Sequence, residues 1–358
     1  MRILHVINSL SFGGAEKLIV DSLPYYREKN EIVDLLVLKR NEEKHQFAID
    51  DTVQYLGIRN YYNPLIILKL IPYLKKYDIV HLHLFPTLYW AVIAKLLIFS
   101  KKPKLIFTEH STYNKRRDNR ILSVADRIIY KKLDFIGCIS EATLINLKSH
   151  LRNKVKNIAV INNGIDLNKF HNFKEIKPLD IFEPDSFVVI QISSFREQKD
   201  QKTLIRAIKL LPEQIKLLLV GDGKLKNENE ELVDSLQIKD RVKFLGIRND
   251  ILELINYSNV CVLSSNHEGF GLAILEGMAL KKASIASDID GVNEILKGYG
   301  LVFEKNNEME LANLILHLYE CEDFRNKIAK QCFERSKQYD IREMVSKYSN
   351  IYKYVYER

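Results

Sequence analysis

Cysteine is scarce: Cys138, Cys261, Cys321 and Cys332 are the only four in 358 residues. They lie far apart or share a helix-like tail. That spacing shows no disulfide framework and no metal-ligand pattern, so a reducing, cytoplasmic setting is expected. Long apolar runs are missing too. The longest, Leu84 to Phe99, is broken by Lys95. It falls short of the about 20 residues a spanning helix needs and reads as a buried helix. The start of the chain, Met1-Arg2-Ile3-Leu4-His5-Val6-Ile7-Asn8, reads as a strand and not as a signal peptide. No helix-turn-helix, zinc-finger or RNP pattern appears, which argues against nucleic acid as a partner. The first strand ends without Gly-x-Gly-x-x-Gly, and Gly221-Asp222-Gly223 lacks the Lys-Ser/Thr of a P-loop. A dinucleotide fingerprint and a P-loop are therefore both excluded.

Apolar residues make up 46% and charged residues 28%, the balance of a soluble globular protein with room for two domains. Charge is spread unevenly. Residues 1–177 hold 29 Lys+Arg against 17 Asp+Glu, and residues 178–358 hold 25 against 29. The densest basic stretch runs from Lys101 to Lys132 through Lys115, Arg116, Arg117, Arg120 and Arg127. An anionic membrane surface or an anionic, lipid-linked acceptor would explain it, with peripheral attachment to the inner leaflet as the corresponding location.

Short apolar runs alternate with helical segments along both halves. Strands are expected at Ile3–Ile7, Val33–Leu38, Ile79–Leu82, Leu105–Thr108, Phe135–Ile139 and Ile158–Ile161. The pattern restarts at Phe187–Ile192, Ile215–Val220, Val242–Leu245, Val260–Leu263 and Ser284–Ser287. Repeated βα units imply parallel sheets with helices on both faces. The expected fold class is α/β, with two doubly wound, Rossmann-like domains. The first spans 1–172, the second 173–340, with a polar seam near His171–Pro184. Ligands bind such sheets at the carboxyl ends of the strands.

One segment carries most of the chemistry. After the strand Val260–Leu263 come Ser264-Ser265 and Glu268-Gly269-Phe270-Gly271-Leu272-Ala273-Ile274-Leu275-Glu276. The N–H groups of Gly269 to Leu272 open a helix and lack helical acceptors, which favours an anion there. Glu268 and Glu276 flank that seat as hydroxyl acceptors. A nucleotide-sugar joins a diphosphate to a ribose and a hexose and suits the arrangement. Arg196 and Lys199 share the loop after Phe187–Ile192 and could clamp a diphosphate. Gly13 and Gly14 precede a helix and let backbone approach a bulky group. His110 ends the strand Leu105–Thr108. His81 and His83 share one strand face by their period of two, with no third metal ligand apparent. Gly164, in Asn163-Gly164-Ile165-Asp166, suits a turn with positive φ, and Ser140 suits a helix cap. Asp288-Ile289-Asp290 has the look of a metal-binding Asp-x-Asp.

Taken together, these motifs resemble the retaining family-4 glycosyltransferases of the GT-B fold. The resemblance rests on two Glu with seven residues between them, on Ser264-Ser265 before Glu268-Gly269-Phe270-Gly271, and on Gly291-Val292-Asn293-Glu294. It implies two domains facing an interdomain cleft, with the terminal helix 341–358 returning to the first. It implies that a hexose is transferred from a nucleotide diphosphate sugar, UDP-sugar favoured, to a saccharide acceptor, a lipid-linked one included, without metal or other cofactor. Glu276 would hold the ribose, Glu268 and His110 the sugar, Lys199 and Arg196 the diphosphate. Gly13 and Gly14 would face phosphate and sugar, and Ile247 the base. His83 matches a position often histidine in the family. Asp288 and Asp290 then fall in the family's Asp-x-x-Gly-x-x-Glu segment, not in a metal site. The chain departs from the family where Arg usually precedes Lys by five residues: that position is Ser194. A sugar-nucleotide epimerase and a non-catalytic nucleotide-sugar-binding protein are the alternatives.

Overall fold

The structure is a computed structural model that describes residues 1–11, 13–39, 53–98, 100, 102–173 and 180–358. Phe12, Lys101 and the centre of the expected seam, 174–179, lie outside the described residues. The chain divides into two compact units. One comprises Met1–Gly164 and Ile341–Arg358, the other Ile165–Asp340.

The first unit is built on seven strands: β1 (Arg2–Ile7), β2 (Ile32–Val37), β3 (Val53–Tyr55), β4 (Ile79–His83), β5 (Lys104–Glu109), β6 (Phe135–Cys138) and β7 (Ile158–Val160). All pair in parallel, in the order β3-β2-β1-β4-β5-β6-β7. Near-continuous burial of β1, β4 and β5 reflects a sheet covered on both faces. One face carries a core of Leu4, Val6, Leu36, Leu82 and Phe107 under Leu70, Leu88, Ala91, Ile129 and Leu147 from the covering helices. The last helix, Ile341–Tyr356, buries Met344, Val345, Tyr348, Tyr352 and Val355, an i, i+1, i+4, i+8, i+11 stripe. It packs beside helix Gly14–Glu28 in this unit. Tyr356, which continues the aromatic spacing, is half-exposed and lies under the ammonium of Lys102.

The second unit holds β8 (Phe187–Ile192), β9 (Ile215–Val220), β10 (Val242–Gly246), β11 (Val260–Leu263), β12 (Ala283–Ser287) and β13 (Leu301–Phe303). These are again parallel, in the order β10-β9-β8-β11-β12-β13. In both units the order reverses beside the first strand, β1 or β8, where adjacent loops leave in opposite directions. Elements also stand where none was expected: the three-residue edge strands β3 and β13, and helix Glu322–Ser336. The strands are too short to show a period, and the helix buries only Ile328, Cys332 and Ser336. Ser140 does cap helix Glu141–His150, accepting from the Thr143 N–H at 3.2 Å. Gly164 is not among the glycines with positive φ, which corrects that expectation; two residues on, the Asp166 side chain caps helix Leu167–His171.

Candidate functional site

In the second unit, β8 and β11 are neighbours, so the loops that follow them start side by side. The loop after β8 carries Arg196 and Lys199; the loop after β11 carries Glu268. They meet in an ion pair between the Lys199 ammonium and Glu268 Oε1, and Ser265 Oγ donates to the same oxygen at 2.8 Å. Two amides that sequence reasoning missed hold the loops in place. Gln191, buried in β8, donates to Ser193 Oγ at 3.1 Å and to the Lys199 carbonyl at 3.0 Å. Its Oε1 accepts from Ser264 Oγ at 2.8 Å. Gln201 donates to Ser193 Oγ at 2.9 Å and to the Ser194 carbonyl at 3.0 Å. The readable signal was Gln191 itself, one amide in the apolar strand Phe-Val-Val-Ile-Gln-Ile. A buried amide must be hydrogen-bonded, so such a residue marks a polar junction.

Gly271, at φ +93°, begins helix Leu272–Ala279. Gly291, at φ +89°, lies against the backbone of the seat: a Cβ there would fall 2.6 Å from the Glu268 carbonyl oxygen. Gly-x-x-Glu is thus the backing of Glu268-Gly269. Phe270 is buried and meets Tyr339 edge-to-face at 5.5 Å, so only its backbone is offered to a ligand. Glu276 is buried in the second turn of the helix. Arg196 is exposed, and among the described residues its guanidinium has no recorded hydrogen bond or ion pair. Ile247 follows β10 and is 40% exposed. Asp288 bonds to Asn293 and lies 3.7 Å from Lys297 Nζ.

In the first unit, Gly13 precedes helix Gly14–Glu28 with extended backbone. The Glu16 carboxyl lies against it: a Cβ on Gly13 would sit 2.8 Å from Glu16 Cδ. A carboxylate over this turn suits a hydroxyl better than a phosphate.

His110 belongs to an array the sequence showed only in part. Its Nε2 bonds His83 Nδ1 at 3.1 Å, and His83 Nε2 bonds His5 Nδ1 at 3.1 Å. His5 Nε2 meets Tyr352 Oη at 3.1 Å, which meets His81 Nδ1 at 2.7 Å. His81 Nε2 meets Thr108 Oγ1 at 2.7 Å, and Thr108 meets Tyr348 Oη at 2.6 Å. So His81 and His83 do have a third histidine beside them, with ligand atoms of all three within 4.8 Å. As a metal set the cluster is closed, because all six ring nitrogens already bond neighbours. Burial pushes His5 down to about 3 and His110 to about 4, and holds His81 and His83 well below the usual range.

The basic stretch is not one surface. The Arg116 guanidinium lies 4.0 Å over the Phe85 ring and 3.7 Å from Asp126, and Arg117 bonds Glu109 at 3.0 Å. Both turn inward, which corrects their place in an exposed patch. Helix Arg120–Tyr130 instead exposes Ile121, Val124 and Ile128 on one face, with Arg120, Lys131 and Lys132 exposed around it. Ile145 is exposed on the neighbouring helix, which is tied on through His150 Nε2 and Asp126 at 3.2 Å.

The histidine array makes stability pH-dependent. In the unfolded chain each imidazole protonates near 6.5, in the fold far lower, so below pH about 6.5 the unfolded state binds protons that the fold refuses. Stability should be full above that pH. It should fall as pH drops toward 4, by about 1.4 kcal/mol per unit for each such histidine. Urea titrations from pH 7.5 to 5 check this. A flat profile, or a slope unchanged in His5→Gln, would count against it.

Residues 12–169 match the family described as Glycosyltransferase Family 4, and residues 172–335 match Glycosyl transferases group 1. The N-acetyl-alpha-D-glucosaminyl L-malate synthase of Bacillus anthracis is 28% identical over 284 residues, 77% of this chain and 74% of that protein. A Campylobacter jejuni enzyme, N-acetylgalactosamine-N,N'-diacetylbacillosaminyl-diphospho-undecaprenol 4-alpha-N-acetylgalactosaminyltransferase, is 25% identical over 354 residues, 93% and 94% of the two chains. The crystal structure of Anabaena HepE in complex with UDP and glucose superposes with a TM-score of 0.85 at 21% identity, covering 98% of this chain and 99% of that one. With the two family matches laid end to end over two parallel-sheet units, the chain is a glycosyltransferase of GT-B type, a family-4 domain followed by a group 1 domain.

Proposed function

We propose that the chain transfers a hexose from a nucleotide diphosphate sugar, UDP being the favoured carrier, to a saccharide acceptor, with retention of anomeric configuration. The observation that carries this reading is the Lys199–Glu268 pair set beside the helix that Gly271 opens. A cation and a hydroxyl acceptor thus stand together beside a helix N-terminus, where the loops after β8 and β11 meet. The unit 165–340 is read as the donor-binding domain and the unit around 1–164 as the acceptor side.

In this reading Glu276 accepts two ribose hydroxyls, and Ile247 borders the base. Lys199 and the exposed Arg196 hold the diphosphate with the amides of Gly269, Phe270, Gly271 and Leu272. Arg196 takes the part of the arginine that Ser194 cannot play. Glu268 binds a hydroxyl of the sugar, as does His110, and Gly13 and Gly14 leave room for the sugar, the Glu16 carboxylate beside them disfavouring the phosphate. The acceptor hydroxyl attacks C1 on the face the phosphate leaves. The C1–O(phosphate) bond breaks, the C1–O(acceptor) bond forms, and the acceptor's proton passes to the departing diphosphate. Catalysis is then positioning together with stabilisation of the leaving group. No metal is assigned a role.

Acceptor-free hydrolysis of a panel of nucleotide-sugars tests the reading, followed by transfer with the product anomer read by NMR. Slow hydrolysis of one donor and an axial product from an axial donor are expected, undiminished by EDTA. Conversion of the donor to another sugar-nucleotide would make the protein an epimerase, and an inverted product would remove retention. Glu276→Ala should weaken nucleotide binding by about 1.5–3 kcal/mol, the loss of a charged acceptor. Calorimetry showing unchanged affinity would take the ribose from Glu276.

A lipid-linked acceptor is favoured because the relative that matches nearly end to end acts on a diphospho-undecaprenol-linked saccharide by its name. The apolar face of Ile121, Val124 and Ile128 among basic residues suits an anionic bilayer surface, apolar side chains entering and cations meeting headgroups. The protein should sediment with anionic vesicles at low salt and leave them as salt rises. The triple change Ile121→Ser, Val124→Ser, Ile128→Ser should abolish sedimentation while donor hydrolysis persists. Failure of the wild-type protein to sediment would favour a soluble acceptor.

A further inference from the structure

We propose that the buried array holds His110 in one tautomer, Nε2 bare and Nδ1 protonated, so that it meets the sugar as a hydrogen-bond donor. The role toward the sugar rests on the function proposed above; the tautomer does not.

The argument starts at the closed end. Tyr348 is buried, and among the described residues its hydroxyl has one hydrogen-bond partner, Thr108 Oγ1 at 2.6 Å. A buried O–H left without an acceptor costs about 1–3 kcal/mol, so Tyr348 donates to Thr108. Thr108 then directs its own proton to His81 Nε2. His81 is thereby protonated at Nδ1 and donates to Tyr352 Oη. Tyr352 accepts there, and accepts again from Tyr26 Oη at 3.3 Å, because Tyr26 is buried and Tyr352 is the one hydrogen-bond partner of its hydroxyl among the described residues. The Tyr352 proton is left for His5 Nε2. His5 donates from Nδ1 to His83 Nε2, and His83 from Nδ1 to His110 Nε2. Each neutral imidazole has one proton, so the directions at Tyr348 and Tyr26 together fix all of them. The opposite direction strands the proton of one of these two tyrosines.

His110 is the open end. It is partly buried, while His5, His81, His83, Thr108, Tyr348 and Tyr352 are all buried. With Nε2 already accepting, it has only Nδ1–H to offer a ligand. Burial keeps these rings uncharged at neutral pH, the condition for one proton each. His110 therefore cannot serve as a base through Nε2, nor through a protonated Nδ1. It is a fixed dipole aimed by residues from β1, β4, β5 and the last helix. His83, His5, His81, Thr108, Tyr348 and Tyr352 are positioning residues for it.

The test uses the full chain with ¹⁵N-labelled histidine at pH 7. Long-range ¹⁵N–¹H correlation distinguishes bare from protonated ring nitrogens, and loss of a signal in His110→Asn assigns His110. A protonated Nδ1 and a bare Nε2 are expected. A protonated Nε2, or a signal averaged between tautomers, overturns the proposal. His83→Leu should release His110 to a mixture of tautomers. It should lower kcat about tenfold, the loss of one oriented hydrogen bond, with affinity for nucleotide diphosphate unchanged. A fall in kcat with the tautomer intact would make His83 merely structural and sink its positioning role. Should His83→Leu not fold, the wild-type spectrum decides alone. A fixed tautomer in a protein that transfers no sugar would refute the proposed function and leave the array standing.

Discussion

The first unit depends on a single requirement, that three imidazoles buried under a parallel sheet find hydrogen-bond partners away from water. His5, His81 and His83 lie on neighbouring strands β1 and β4 and cannot be solvated there. They partly satisfy one another, but two polar ends remain. Nearly the full length of the chain away, the Tyr352 hydroxyl bonds His5 and His81, and the Tyr348 hydroxyl bonds Thr108, the other partner of His81. Gly137 on β6 belongs to the same arrangement: a Cβ there would fall 3.1 Å from Tyr348 Cζ, so the missing side chain makes room for the ring. A half-satisfied buried network is worse than an apolar core, which gives the last helix a docking position set by chemistry as well as by its apolar stripe.

The second unit solves a different problem with the same means. Its loops after β8 and β11 carry opposite charges that meet at a fixed place. Gln191 and Gln201 fix the backbone of the Lys199 loop, and Ser264 joins it to the strand that launches Glu268. Gly291 then supports Glu268-Gly269 from behind. Charge alone would not place an ammonium on a carboxylate in a loop; the buried amides do so by leaving their loops one way to satisfy them.

Much of this was legible in the residues. Alternation of apolar runs with helical segments gave both parallel sheets, because a strand covered on both faces needs a solid apolar run. The acid–glycine text at 268–276 stood out because a helix start with an anion seat needs those residue types. What stayed hidden was whatever depends on distance in space. His5 was read as part of a first strand and not as the neighbour of His81 and His83, since strand order is not written in local sequence. Arg116 and Arg117 looked like surface because a charge run usually is one, yet both guanidiniums turn inward, against Phe85, Asp126 and Glu109. Gly164 fits a known turn but adopts no positive φ.

The return of the last helix also orders events in time. Residues Ile341–Arg358 belong to the unit that begins at Met1, while Ile165–Asp340 form a unit without them. Domains generally fold as units while the chain is still being made. Here the unit synthesised second can be completed first. The first must wait, its buried network short of two hydroxyls, until the helix Ile341–Tyr356 has left the ribosome. A glycosyltransferase built this way withholds the half that carries His110 until that helix is made, so a product truncated before it lacks a finished first unit whatever the state of its second.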